Sequence, residues 1–247
     1  MISFIDMEHA SWLALREQRL AHYAFIMDVK LKLEAISGQP CIVRRYCDTS
    51  LEELRGFGIR ALVISGNAAE FSEYGDGAFT ELHRIVRAAE WPIIGFCGGH
   101  QQIAAAHGAE IGPMRRLRPG EADVTDLSAP GYLKEWGFAP VSVVQDDPIL
   151  VGLGAAPVFL EVHYCEAKEI PPGFRLLAST PDCRVQLMRR EDRPVYGTQF
   201  HPEGYTEWPF DERNELVNLV YPSGYAHAEP AGRRLLENFF RVAGVIS

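Results

Sequence analysis

Two short stretches of this sequence set reactive side chains where a turn would present them. In Ile93-Ile94-Gly95-Phe96-Cys97-Gly98-Gly99-His100-Gln101, an apolar run meets a cysteine flanked by glycines, and a helix-forming stretch begins at once. That is a nucleophile elbow with Cys in place of Ser. A sharp strand-to-helix turn strains the backbone at the nucleophile, and bulky neighbours would clash there. The helix start also aims free N–H groups and the positive end of its dipole at the sulfur, which favours the reactive thiolate. Two plainer readings stand beside it: Cys97 as a small buried hydrophobe, or Cys97 and His100 as metal ligands, for which no second pair at suitable spacing exists. In Val195-Tyr196-Gly197-Thr198-Gln199-Phe200-His201-Pro202-Glu203, a strand pattern ends at a histidine with a carboxylate two residues on. A thiol nucleophile needs a base within hydrogen-bond reach, and the base needs a third group to fix its tautomer. Pro202 stiffens the turn between them. Alone, this second stretch reads equally well as a surface turn.

The elements that must carry these groups follow from periodicity. Ile2–Asp6, Cys41–Tyr46, Ala61–Ser65 and Pro92–Phe96 read as short buried strands. Between them come a helix over about residues 12–36, with Leu20, Ala24, Met27 and Leu31 as an apolar stripe on one face, a helical turn at Glu52–Gly56, and a helix at Phe79–Glu90. Gly98–His107 is a helix after the fourth strand, and Ala231–Val242 closes the chain. Strand and helix alternating in this way predict a parallel sheet covered on both faces. In the second half, Val141–Val144, Val158–Val162, Arg175–Ala178, Arg184–Arg189 and Val195–Gln199 are strands separated by Pro, Gly and Asp turns, some of them antiparallel.

The 247 residues suffice for one large domain with a sizeable core. A formal charge of −9, with four lysines and no basic run, argues against nucleic acid as a partner. The five cysteines show no CxxC pair, so reduced thiols in a cytoplasmic protein are expected. No signal peptide or membrane span is expected either.

Taken together, Gly-Phe-Cys-Gly-Gly-His-Gln and Gly-Thr-Gln-Phe-His-Pro-Glu resemble the class I (triad-type) glutamine amidotransferases, here as a stand-alone, GMP-synthase-like glutaminase domain. The resemblance runs from the first strand to the last helix. It implies a doubly wound α/β fold of flavodoxin-like glutaminase type: a mostly parallel central sheet, helices on both faces and a small antiparallel sheet. It also implies a catalytic triad of Cys97, His201 and Glu203. Leu62-Val63-Ile64-Ser65-Gly66-Asn67 resembles the family's oxyanion loop, so the oxyanion hole would be Gly66, Asn67 and Gly98. The common pattern has a glycine where Asn67 stands, and asparagine tolerates left-handed backbone better than most residues. By the same resemblance Gln101, His163 and Tyr164 would bind substrate, with Tyr164 narrowing the pocket where Ser is common. A packed strand residue is the plainer reading of His163.

The implied reaction is attack of Cys97 on the glutamine γ-carboxamide, release of ammonia and hydrolysis of a glutamyl thioester, with no cofactor and no metal. The chain has neither a Gly-Lys-Ser/Thr phosphate loop nor a Ser-Gly-Gly pyrophosphate loop, so an acceptor subunit on another chain would use the ammonia. A stand-alone γ-glutamyl peptidase or hydrolase is the alternative, and an idle regulatory relative a third. The whole chain, 1–247, reads as one domain with an insertion at about 205–230, rich in Tyr205, Trp208, Phe210, Tyr221 and Tyr225. Its place just after Glu203 suggests that it covers the pocket or docks a partner, whereas local packing is the plainer view.

Overall fold

The computed structural model describes residues 1–124, 129–204 and 224–247. β1 (Ile2–Asp6) is followed by α1 (Ala10–Ala14) and α2 (Arg16–Ser37), then β2 (Cys41–Arg45), α3 (Leu51–Gly56), β3 (Ala61–Ile64), α4 (Thr80–Ala88), β4 (Ile93–Phe96) and α5 (Gly98–Ala106). The second half contributes β5 (Ile111–Pro113), β6 (Glu135–Pro140), β7 (Ser142–Val143), β8 (Val158–His163), β9 (Cys165–Ala167), β10 (Phe174–Ser179), β11 (Leu187–Arg190) and β12 (Val195–Thr198), with α6 (Gly224–Val242) at the end. One eight-stranded sheet runs β2-β1-β3-β4-β12-β11-β10-β7. Its first five strands are parallel and the last three join antiparallel, while β5-β9 and β6-β8 form separate antiparallel pairs.

The inner parallel strands β1, β3, β4 and β12 are buried on both faces, and their side chains divide with period two. Phe4, Val63, Ile94 and Phe96 join α2 and α6 in one core layer; Ile5, Leu62, Ile64 and Ile93 join α3, α4 and α5 in the other. Continuous apolar strands of this kind belong to a sheet covered on both sides. The fold is the α/β architecture expected. β4 and β12 lie side by side at its centre, with Thr198 level with Phe96. Both chemical motifs therefore emerge at the carboxyl end of adjacent strands, where open α/β sheets place their sites.

Three features differ from the sequence expectations. The first helix is two: Leu15 adopts an extended conformation (φ −80°, ψ 128°) and breaks it into α1 and α2. The stripe Leu20, Ala24, Met27 and Leu31 faces outward; Ile26, Val29, Leu33 and Ile36 form the buried face instead. α2 carries apolar residues on two sides, and periodicity alone does not say which meets the sheet. The strand expected at Arg184–Arg189 begins only at Leu187, and β5, β6 and β9 are additional. Of the expected insertion, residues 205–223 lie outside the described residues, and 224–230 belong to α6. No helix among the described residues is long and apolar enough to cross a membrane.

Candidate active site

Cys97 is the residue between β4 and α5, and its backbone is strained: φ is +46° and ψ −106°. A non-glycine residue in that region needs surroundings that over-determine it. Here its N–H donates to the Thr198 carbonyl at 2.8 Å, and its own carbonyl accepts from Gln101 N at 3.0 Å. The flanking glycines are required by close approach. A Cβ on Gly98 would collide with Asn67 Oδ1, and one on Gly99 would fall 2.6 Å from the Ile64 carbonyl oxygen. Only glycine lets the turn press this tightly against the loop after β3.

His201 follows β12. Its N–H donates to Leu160 O at 2.8 Å, which ties it to β8. The ring nitrogen Nδ1 lies 2.8 Å from Glu203 Oε1, and the ring is hydrogen-bonded to the Cys97 thiol. Burial pushes this imidazole toward the neutral form. The Glu203 charge and the bond to Cys97 outweigh it and raise the pKa to about 10. The geometry thus joins a thiol, an imidazole and a carboxylate at the carboxyl ends of the two central strands.

The loop after β3 brings Gly66 and Asn67 against Cys97: a Cβ on Gly66 would lie 3.2 Å from His201 Cε1 and 3.3 Å from Cys97 Cβ. The left-handed backbone anticipated at Asn67 is absent; among the described residues, the non-glycine residues with positive φ are Ala89, Cys97 and Ala129. The loop is held differently. Asn67 Nδ2 donates to Ala69 O at 2.7 Å. Glu8, 2 % exposed, accepts from Ala68 N at 2.7 Å and Ala69 N at 3.0 Å. Sequence reasoning does not find Glu8. Its only signal is a carboxylate two residues past a buried strand.

The three expected substrate residues fare differently. Gln101 reaches the site, donating from Nε2 to Cys165 O at 2.8 Å and Gln199 Oε1 at 3.0 Å. Gln199 Nε2 in turn lies 3.6 Å from Cys97 Sγ, a neighbour that the second motif contains without marking it. Tyr164 lines the cavity. His163 borders it too, but its ring nitrogens are taken up by Glu135 and the Cys165 carbonyl, with Glu161 Oε2 3.2 Å away, so it sits as a packed strand residue. His100 is fully buried and lines neither cavity at Cys97. Burial lowers its pKa to about 3, so it is neutral.

Two cavities meet at Cys97. One, about 440 Å³, lies on the His201 and Glu203 side and is walled by Trp12, Phe25, Ile26 and Val162. The other, about 420 Å³, lies on the Gly98 and Gln101 side with Glu70, Trp136 and Tyr164.

The family model described as glutamine amidotransferase class-I matches residues 35–211. The chain belongs to the class I glutamine amidotransferases. This amidotransferase is 31 % identical over 173 residues to the glutamine-hydrolysing GMP synthase subunit of Thermococcus kodakarensis, covering 69 % of this chain and 81 % of that one. It is 32 % identical over 184 residues to the same subunit of Sulfolobus acidocaldarius, covering 74 % and 83 %. Among solved structures, a glutamine amido transferase of Methylobacillus flagellatus superposes with a TM-score of 0.68 at 18 % identity, over 100 % of this chain and 95 % of that one. A glutamine amidotransferase of Thermotoga maritima does so at 0.66 and 14 %, over 100 % and 99 %. These two speak for the shared fold. As a glutamine amidotransferase, the chain is an enzyme of glutamine hydrolysis.

Proposed function

We propose that Cys97, His201 and Glu203 are the catalytic triad of a glutaminase that passes ammonia to an acceptor subunit on another chain. The observation that carries this is the His201 ring, bound to Glu203 on one side and to the thiol of a strained elbow cysteine on the other. Cys97 Sγ attacks the γ-carboxamide carbon of glutamine while its proton resides on His201. The developing oxyanion is met by the backbone N–H groups of Asn67 and Gly98. His201 returns the proton to the departing ammonia, then takes one from the water that hydrolyses the thioester. Glu203 keeps the imidazole oriented and stabilises its charged form. Gln101 and Tyr164 are assigned to the glutamyl side, since they line the cavity on the Gly98 side of the nucleophile. His163 supports that wall from behind.

The relatives named for GMP synthase support an acceptor that makes a nucleotide from the ammonia, and the five free cysteines suit a reducing, cytoplasmic setting. The single-domain reading of 1–247, with 205–230 as an insertion, rests on α6 sharing a core layer with β1. A second reading has one observation in its favour: a 440 Å³ cavity walled by Trp12, Phe25 and Ile26 beside His201 exceeds what ammonia needs, and suits the larger leaving amine of a γ-glutamyl compound.

One set of assays tests both. Cys97→Ala should abolish glutamine hydrolysis and leave the fold intact, His201→Ala should cost several orders of magnitude, and Glu203→Gln less. Activity surviving in Cys97→Ala sinks the mechanism. A higher kcat/KM on γ-glutamyl aryl amides than on glutamine would favour the second reading over the first.

A further inference from the structure

Behind the wall of the second cavity lies a buried polar cluster that the proposed chemistry leaves unused. Glu135 opens β6 and pairs across the ladder with His163 of β8; Glu161 lies two residues before His163, on the same face of that strand. Cys183, from the β10–β11 connection, closes the group and is fully buried. The ligand atoms of Glu135, His163 and Cys183 all lie within 4.8 Å of one another. His163 Nε2 is 2.8 Å from Glu135 Oε2 and 3.2 Å from Glu161 Oε2.

One ring N–H cannot serve two carboxylates. Glu135 has the shorter contact and further donors in Gln186 Nε2 (2.6 Å) and the Thr180 hydroxyl. Glu161 is 0 % exposed, and neither of its carboxylate oxygens accepts an aligned hydrogen bond. A buried carboxylate left in this state is costly, and an ion is one of the few things that resolves it. The other ring nitrogen, Nδ1, lies 3.1 Å from the Cys165 carbonyl, the outer contact that turns Nε2 of a metal-binding histidine toward its ion.

We propose that Glu135, Glu161, His163 and Cys183 form a binding site for a divalent cation of the zinc type. A donor set of two carboxylates, an imidazole and a thiol suits zinc or cobalt and disfavours magnesium and calcium, which take oxygen. On coordination the Cys183 thiol and the His163 ring lose their protons to solvent. His163 borders the 420 Å³ cavity and the Glu135 side chain is 14 % exposed, which gives the ion a way in. The ion stays outside the glutamine chemistry. It braces β8, whose Leu160 carbonyl holds the His201 backbone.

The test uses the full chain with Cys97→Ser, so that the elbow thiol cannot capture the probe. After chelator treatment the protein is titrated with Co²⁺ alone and followed by visible and near-ultraviolet absorption. Expected are one equivalent bound, the bands of four-coordinate cobalt and a sulfur-to-cobalt charge-transfer band. Cys183→Ser should remove the sulfur band, and Glu161→Gln should weaken binding at least about tenfold. Failure to bind one equivalent, or a sulfur band that persists in Cys183→Ser, overturns the site. Should Cys183→Ser not fold, the Cys97→Ser spectrum decides alone: bound cobalt without a sulfur band is equally fatal.

Discussion

Glu8 shows how much a single buried carboxylate can do through the backbone it holds. It accepts from two successive backbone N–H groups, Ala68 and Ala69, just after the loop residue whose own N–H is assigned to the oxyanion. Glutamine at this position keeps the size but replaces one acceptor by a donor, which must then face an N–H. Glu8→Gln should therefore lower kcat by about one to two orders of magnitude, somewhat less than loss of an oxyanion donor itself. KM for glutamine should hold, and so should alkylation of Cys97 by iodoacetamide, which builds no oxyanion. An unchanged kcat would reduce Glu8 to a structural tie. His201 gives a second residue-scale expectation. Its pKa rises from the ordinary 6.5 to about 10 on folding. The stability this supplies is fully present below about 6.5 and is lost as pH climbs through 10. Tm should fall across that window in the wild-type chain and fall less in His201→Asn; parallel profiles would show that the imidazolium is not what the fold favours.

Among the elements, the elbow is the most legible in the sequence, because Cys97-Gly98-Gly99 admits few backbones other than the one found. The His201 and Glu203 turn is legible for a related reason: a strand end followed by His-Pro-Glu leaves little choice of direction. The loop after β3 is found by position and not in detail, since Asn67 needs no left-handed backbone once Glu8 and Ala69 hold the loop. The three-residue strands β5 and β9 escape notice because pairs this short bear almost no periodic signal, and β6 escapes because Gly137 interrupts its pattern and Pro140 ends it. α2 misleads for a physical reason that can be tested. Its outer stripe leaves Leu20 55 %, Met27 51 % and Leu31 56 % exposed, while Val29 and Leu33 are fully buried. Leu20→Lys or Leu31→Lys should change stability by no more than about 0.5 kcal/mol, as surface substitutions do. Val29→Ala and Leu33→Ala should cost several times that, about 2–5 kcal/mol for the leucine. Denaturant midpoints at constant m-value measure the difference, and equal costs on the two faces would place the stripe against something in solution.

At the scale of the whole molecule, the N-terminal and C-terminal halves of the chain meet at the parallel β4–β12 contact, and the site depends on both. Cys97 comes from the first half, and His201 and Glu203 from the second. The Leu160 carbonyl that holds His201 comes from a strand outside the main sheet altogether. Neither half buries its own apolar surface, since Leu177 of β10 and Leu236 of α6 share one core layer with Phe4 and Val63. A site assembled across such a seam keeps its geometry only if the halves open together. Leu177→Ala and Leu236→Ala remove contacts far apart in sequence, each at a cost of about 2–5 kcal/mol. In a chain of this size that should lower Tm by about 2–4 °C per kcal/mol. If 1–247 is one cooperative unit, each variant moves a single transition, and far-ultraviolet circular dichroism, tryptophan fluorescence and loss of activity shift together. A variant that splits the transition, so that one probe moves and the others stay, would mean that the two halves fold as separate units and that the triad is assembled only by their docking.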